Sequence, residues 1–398
     1  MAPRSNAWCR LRSAVRGSRA RETKDRPIML EFDFKTLSEL GLTPALASRA
    51  AAVAGDIDAT DESRLHLLRI TEVHRETVAV HDGREELSAS ALPRLFRALM
   101  EEETALAVGD WVLASVDRHG QCWVTQRVSP TSHIVRRDGD GRRHPVVSNV
   151  DIALLVMGLD DDFNPRRLER FLALVQDDAI VPVVVLSKLD VAELTPEVLD
   201  ARLTTLRDRM PAHIDVHAVN ATDATAAHAL RDYLVRGRTL VMLGSSGAGK
   251  STLTNTLLGA HVQDTGAVRE NDGRGKHTTT SRSLHRLPGG ACVIDTPGLR
   301  TLRPDGDEAA LAATFADIDA LAAQCRFRDC RHELEPGCAV REGVDSDRLR
   351  NYQKLLREMR RDTLTPLDRR KQVALWKARG KAAKERMKQK RGEVGSGR

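Results

Sequence analysis

The run Gly244-Ser-Ser-Gly-Ala-Gly-Lys-Ser251 follows the apolar stretch Leu240-Val-Met-Leu243 and leads into Thr252, Leu253, Leu257 and Leu258. A buried strand, a glycine-rich turn and a Lys-Ser pair at the head of a helix make a phosphate-binding loop. Without a Cβ in the way, the backbone N–H groups of Gly244, Ser245, Ser246, Gly247, Ala248 and Gly249 can converge on phosphate oxygens. Lys250 is then placed to reach the β- and γ-phosphates and to serve the chemistry there. The Ser251 hydroxyl is placed to hold magnesium, and the helix that opens at Ser251-Thr252 adds the positive end of its dipole. This stretch commits the middle of the chain to a βα unit and predicts a nucleoside triphosphate site.

The rest of the chain sets the frame for that unit. A length of 398 residues accommodates two or three domains, and 41% apolar residues with only 3% aromatics imply cores built from Leu, Val and Ala. No window approaches the roughly 18 uninterrupted apolar residues of a membrane span, so a soluble, cytoplasmic protein is expected, with no membrane partner. The formal net charge is +6, with basic residues gathered at the two ends, a pattern suited to nucleic acid.

Residues 1–29 carry Arg4, Arg10, Arg12, Arg16, Arg19 and Arg21 without apolar periodicity. They read as a disordered basic leader or as an extension ahead of a true start at Met29, with a transit peptide as the alternative. Residues 30–64 look helical and polar. Short alternating runs follow at Leu67–Ile70, Thr77–Val80, Trp111–Ala114 and Cys122–Thr125, with turn signals between them and a helix expected over Ala91–Glu103. This predicts an OB-type β-barrel over 30–131. Trp111, Trp123, Arg127, Arg136 and Arg137 are candidate RNA contacts, and a barrel that only packs on its neighbour stays equally open.

From Val150 the pattern becomes strand–helix alternation, with near-continuous apolar runs at Ile152–Val156 and Ile180–Leu186, the mark of a parallel sheet covered on both faces. The second run ends in Ser187-Lys-Leu-Asp190. A carboxylate two residues beyond a lysine, at the carboxyl end of a buried strand, can accept paired hydrogen bonds from guanine while the lysine stem packs on the ring. Adenine arranges its donors differently. Ser187, Lys188, Leu189 and Asp190 are therefore the expected base-binding residues, with Asp190 selecting GTP and Ser187 replacing the usual Asn. Asp295-Thr-Pro-Gly298 follows the strand Cys292–Ile294. Asp295 is expected on magnesium and the Gly298 N–H near the γ-phosphate. In Gly273–Thr280, Thr279 is the expected further magnesium ligand. Leu299 stands where a water-orienting Gln is common, so slow intrinsic hydrolysis is expected. His277 is the candidate that completes the catalytic site, with partner contact as its alternative. Because the base motif precedes the phosphate loop, the domain, placed at 132–301, is expected to be circularly permuted.

Cys325, Cys330, His332 and Cys338 offer three thiolates and an imidazole at short spacing. That closed tetrahedral set suits one structural zinc and defines a helical zinc-binding domain over 302–365, with Arg326, Arg328 and Arg331 displayed toward RNA phosphate. Residues 366–398 form a Lys/Arg-rich tail, either solvated or RNA-contacting. The fold class expected is multidomain α/β: an OB-type β-barrel, a circularly permuted P-loop GTPase domain and a C-terminal helical zinc-binding domain.

With these motifs in hand, together with Val108–Val112, Asn149–Asp151, Asp162–Asn164 and Arg274–Thr280, the chain resembles the bacterial ribosome small-subunit-dependent GTPase A family from about residue 65 to 365. The resemblance implies a GTP hydrolase working on the GTP–magnesium complex. It would dock on the small ribosomal subunit and its 16S rRNA late in maturation, be stimulated by it, and leave after hydrolysis, alone or with another assembly factor. A monomer is expected. Two rival readings are an ATPase or kinase, and an RNA-binding zinc protein with a vestigial nucleotide site.

Overall fold

The computed structural model describes residues 29–56, 64–137, 143–175, 180–191, 194–259, 282–296 and 308–362. The Arg-rich leader, His277, Thr279, Gly298, Leu299 and the basic tail lie outside the described residues.

The chain enters through β1 (Met29–Glu31), α1 (Phe34–Ser38) and α2 (Pro44–Gly55). Thr43 starts α2 by accepting the Leu46 N–H, and Pro44 supplies a preset first turn. The expected barrel follows as β2 (Arg64–Val73), β3 (Val78–His81), β4 (Glu86–Ala91), α3 (Pro93–Glu101), β5 (Trp111–Val116) and β6 (Cys122–Arg127). Closure runs β2-β3-β4-β6-β5 and back to β2, with β4 and β6 parallel and the other pairs antiparallel. Strand β4 goes beyond the sequence expectation, because Glu86-Leu-Ser-Ala-Ser-Ala91 is too small and polar to register as an apolar run. Period-2 alternation sends Leu68, Ile70, Val112, Ala114 and Val124 into the barrel interior. Leu65, Leu67, Trp111 and Leu113 instead face outward, into a core shared with the next domain.

The barrel passes to a hairpin, β7 (His133–Arg137) and β8 (Arg143–Ser148), and then to the second sheet. That sheet is built by β9 (Ile152–Gly158), α4 (Pro165–Val175), β10 (Val181–Ser187), α5 (Pro196–Arg209), β11 (Asp215–Ala218), α6 (Thr225–Ala229), β12 (Thr239–Gly244), α7 (Lys250–Leu258), β13 (Ser283–Arg286) and β14 (Cys292–Asp295). Spatial order is β11-β10-β9-β12-β14-β13, all parallel except β13, and Ser283 of β13 pairs with Glu72 of the barrel. The phosphate-loop strand β12 lies between β14 and β9. Strand β10, which ends in the expected base motif, comes earlier in the chain and lies on the far side of β9 from β12. Even-numbered residues of β9 join α6 and α7 on one face, and odd-numbered residues join α4 and α5 on the other.

Arg69 locks barrel to sheet. Fully buried, it donates to the Leu40 carbonyl, to Thr239 Oγ1 at 2.9 Å and to the Asn149 carbonyl at 3.0 Å. Its guanidinium lies 5.4 Å from the centre of the Trp111 ring. This corrects part of the RNA-contact expectation: Trp111 is wholly buried in the joint, and Arg127 is engaged with buried Asp110 at 3.0 Å.

The last domain comprises α8 (Glu308–Thr314), α9 (Ala316–Ala322), α10 (Ala339–Gly343) and α11 (Ser346–Asp362) around Phe315, Ile318, Val340, Leu355 and Met359. Ala173 of α4 belongs to the same core. The docking is reinforced by Glu169, which is wholly buried and accepts from Arg209 at 2.9 Å, Arg348 at 2.7 Å and Asn351 at 2.5 Å. No described helix is long and apolar enough to cross a membrane.

Candidate nucleotide and metal sites

The phosphate loop leaves β12 at Gly244, beside the carboxyl end of β9. A Cβ on Gly244 would stand 2.3 Å from the Val156 carbonyl oxygen, so only glycine lets the two strands run side by side here. Gly249 takes a left-handed φ of 86° and caps α7, which points its free N–H groups back into the loop. Lys250 is 6% exposed, and its ammonium donates to the carbonyls of Gly244 at 3.2 Å and Ser245 at 2.7 Å. Burial pushes its pKa down, while the charges of Asp295 and Asp162 oppose that shift.

Ser251 Oγ donates to Asp295 Oδ2 at 3.2 Å. Asp295 is 1% exposed, and its other oxygen is buried without a hydrogen-bond partner among the described residues. Burial raises its pKa, countered by Lys250, Ser251 and the Thr296 N–H. A hydroxyl and a half-satisfied carboxylate, side by side at the edge of a phosphate loop, form a hard oxygen donor set. These residues fit magnesium, which takes one or two protein oxygens and fills its octahedron with phosphate and water.

The expected base motif, Ser187–Asp190, sits at the end of β10. Ser187 is fully buried, and its hydroxyl donates to the Ala248 carbonyl at 2.6 Å. It therefore braces the phosphate loop from the base side. Lys188 adopts a left-handed φ of 62° and extends to Asp160 Oδ2 at 2.6 Å. The Leu189 N–H donates to the Val219 carbonyl at 3.3 Å, and Asp190 is exposed at the rim. Ser245, Ser246, Gly247 and Thr252 complete the loop and the start of α7 around these groups. Thus β10, β12 and β14 bring Ser187–Asp190, Gly244–Thr252 and Asp295 to one edge of the sheet.

Sequence reasoning overlooked two neighbours. Asn220-Ala-Thr222 follows β11 beside Leu189, with the Ala221 carbonyl accepting from Thr256 of α7 at 2.6 Å. Its only sequence signal is a polar turn after a short strand. The Leu159–Asn164 loop carries Asp160 and Asp162. Only the family resemblance points to Asp162 from the sequence, yet both of its oxygens lie within 2.8 Å of Ser245 Oγ.

The cysteine cluster forms a second centre. The ligand atoms of Cys325, Cys330, His332 and Cys338 all lie within 4.8 Å of one another. Cys325 Sγ is 3.9 Å from Cys338 Sγ, and His332 Nδ1 is 3.6 and 3.4 Å from those two sulfurs. A Zn–S bond of ~2.3 Å gives a tetrahedral S···S edge of ~3.8 Å, so the set fits one four-coordinate zinc. Gln353 of α11 holds the His332 carbonyl at 2.9 Å, tying the knuckle to its domain. Arg326, Arg328 and Arg331 are exposed around it.

The RsgA GTPase family model matches residues 128–304. A small ribosomal subunit biogenesis GTPase RsgA from Xanthomonas campestris pv. campestris (strain B100) is 46% identical over 296 residues, covering 72% of this chain and 79% of that protein. The chain belongs to the RsgA GTPase family. Its counterpart from Xanthomonas axonopodis pv. citri (strain 306) is 45% identical over 300 residues, covering 73% and 80%. Two solved structures share the fold. YjeQ from Thermotoga maritima has a TM-score of 0.53 at 24% identity, covering 74% of this chain and 98% of that one. YloQ, described as a circularly permuted GTPase, has a TM-score of 0.52 at 22% identity, covering 78% and 100%. Membership agrees with the observed chain order, in which the base motif precedes the phosphate loop on one sheet.

Proposed function

We propose that this chain hydrolyses GTP in the biogenesis of the small ribosomal subunit. In this reading it docks on the subunit and its 16S rRNA, is stimulated there, and leaves after hydrolysis, alone or with another assembly factor. The observation that carries the reading is the convergence of Ser187–Asp190, Gly244–Thr252 and Asp295 at one sheet edge, in permuted order, within a member of the RsgA GTPase family.

The residues divide the work as follows. Asp190 accepts the guanine N–H groups and the Lys188 stem covers the ring, with Leu189 beside it. The loop N–H groups from Ser245 to Ser251 hold the phosphates. Lys250 exchanges the carbonyls of Gly244 and Ser245 for phosphate oxygens. That exchange loses little in the loop and places a cation where negative charge grows during transfer. Ser251 and Asp295 would hold magnesium, which supplies further charge neutralisation when bound. Thr279 is assigned as an additional magnesium ligand, Gly298 as the γ-phosphate sensor and His277 as the group that completes hydrolysis, on sequence grounds. Cys325, Cys330, His332 and Cys338 would hold a structural zinc that shapes an RNA-facing surface. The proposed domains are 30–131, 132–301 and 302–365, flanked by a basic leader over 1–29 and a basic tail over 366–398. The protein would act in the cytoplasm as a monomer.

The test is hydrolysis of GTP and of ATP, each with and without purified small subunits. Strong stimulation with GTP alone is expected. Equal use of ATP, or indifference to the subunit, would overturn the reading.

A further inference from the structure

The loop between β9 and α4 touches both halves of the nucleotide site. From one end, Asp160 Oδ2 accepts the Lys188 ammonium at 2.6 Å. From the other, Asp162 faces Ser245 Oγ with Oδ1 at 2.7 Å and Oδ2 at 2.8 Å. The two carboxylates are fixed to each other, because the Asp162 N–H donates to Asp160 Oδ1 at 3.2 Å. The loop is also pinned from behind. Arg167 pairs with Asp162 at 2.5 Å, and Arg202 donates to the Leu159 carbonyl and stacks 4.9 Å from the centre of the Phe163 ring. Asn164 Oδ1 accepts the Arg167 N–H at 3.2 Å and starts α4. The loop is therefore a rigid part of the scaffold from which two short side chains reach forward.

Each reach has a distinct consequence. A lysine whose ammonium is tethered at its tip holds its four-carbon stem in one line, and that stem is the surface a purine ring packs on. Ser245 is the first variable residue of the phosphate loop. Its carbonyl already receives Lys250, so fixing its hydroxyl fixes the turn that presents the following N–H groups. Ser187 braces the far side of the same loop through the Ala248 carbonyl.

Building on the GTP-site reading, we propose that Asp160 and Asp162 are positioning residues that divide nucleotide affinity: Asp160 holds Lys188 for the base, and Asp162 holds the Ser245 turn for the phosphates. Asp162 bears a negative charge near a phosphate site, but Arg167 offsets it. Its net effect is preorganisation of the loop rather than repulsion of the ligand.

Magnesium-saturated GTP and magnesium-saturated tripolyphosphate, which lacks a base, separate the two roles in equilibrium binding. Asp160→Ala should weaken GTP about tenfold, as loss of a charged hydrogen bond implies, while leaving tripolyphosphate unchanged. Asp162→Ala should weaken both by a similar factor. Asp160→Asn and Asp162→Asn keep an acceptor oxygen and the loop's shape, so they should show the same split at smaller amplitude and serve where an alanine variant does not fold. Equal loss of both probes on changing Asp160, or unchanged tripolyphosphate affinity on changing Asp162, would overturn the assignment. A wild-type chain that bound tripolyphosphate as tightly as GTP would instead refute the guanine site itself.

Discussion

Replacing Glu169 with Ala should loosen the C-terminal helical domain from the GTPase domain. The carboxylate is wholly buried and receives Arg209, Arg348 and Asn351 from two different domains. Removing one member of a buried ion pair costs about 3–5 kcal/mol, because the remaining charge is left without compensation. Neither arginine is wholly orphaned here. Arg348 keeps Asp317 at 2.7 and 2.8 Å, and Arg209 keeps Asp347 at 3.1 Å. The lower end, about 3 kcal/mol, is therefore expected. Glu169→Gln preserves one acceptor and the shape, and should cost about 1–2 kcal/mol. Urea unfolding of the zinc-loaded protein measures the total, and hydrogen exchange shows whether the loss lies in α10 and α11, where local opening should become easier. A Glu169→Leu, Arg348→Leu double variant should be less destabilised than the sum of its singles, since both singles break the same Glu169–Arg348 contact and the half-exposed Asp317 that Arg348 leaves behind can be solvated. A loss below about 1 kcal/mol for Glu169→Ala, or exchange unchanged in α11, would refute the view that this network carries the joint.

Three further outcomes are expected. Gly244→Ala forces a Cβ to within 2.3 Å of the Val156 carbonyl; it should cost about 1–3 kcal/mol by thermal unfolding and abolish detectable binding of a fluorescent guanine nucleotide. Stripping zinc with a chelator should unravel the Cys325–Cys338 knuckle, whose Cys338 lies in the core with Phe315 and Val340. Circular dichroism should fall while nucleotide affinity stays near its starting value, because the two centres share no residues. Acidification should weaken the barrel. His81 is held below its ordinary pKa by burial, and its Nδ1 accepts the Gly83 N–H at 2.9 Å, so the folded state requires neutral imidazole. A depressed folded pKa means that the unfolded chain takes up the proton first. Stability is then full above about pH 6.5 and falls as pH drops through the folded value. A His81→Gln variant should flatten that slope in melts recorded between pH 7.5 and 5.

The parts of the site that were legible in the sequence are those whose chemistry is local. Gly244–Ser251 needs only a turn and a helix start. Cys325, Cys330, His332 and Cys338 fall within one short segment. Lys188 and Asp190 follow directly from the end of an apolar strand. For Trp111 the sequence leaves RNA contact and packing equally open, because an aromatic on a half-buried strand looks the same from either face; only the packing of the barrel against the sheet shows that its outward face is covered. Arg127 looked free because its partner Asp110 lies seventeen positions away, across a strand pair. The strand Glu86–Ala91 escaped because its neighbours on the barrel, rather than its own residues, make it a strand.

The sequence alone therefore determined which residue types stand together: a phosphate loop, a carboxylate proposed to select the base and placed ahead of it in the chain, and a three-thiolate, one-imidazole knuckle. These depend on residue types at fixed short spacing. Only the tertiary structure decided which groups act together. Asp160 meets Lys188, Asp162 meets Ser245, Arg69 bridges barrel to sheet, and Glu169 joins two domains. Each of these contacts is made by side chains on separate segments, and no local periodicity encodes them. They follow from the order of strands in the sheet and from the requirement that a buried charge find its partners wherever the fold brings them.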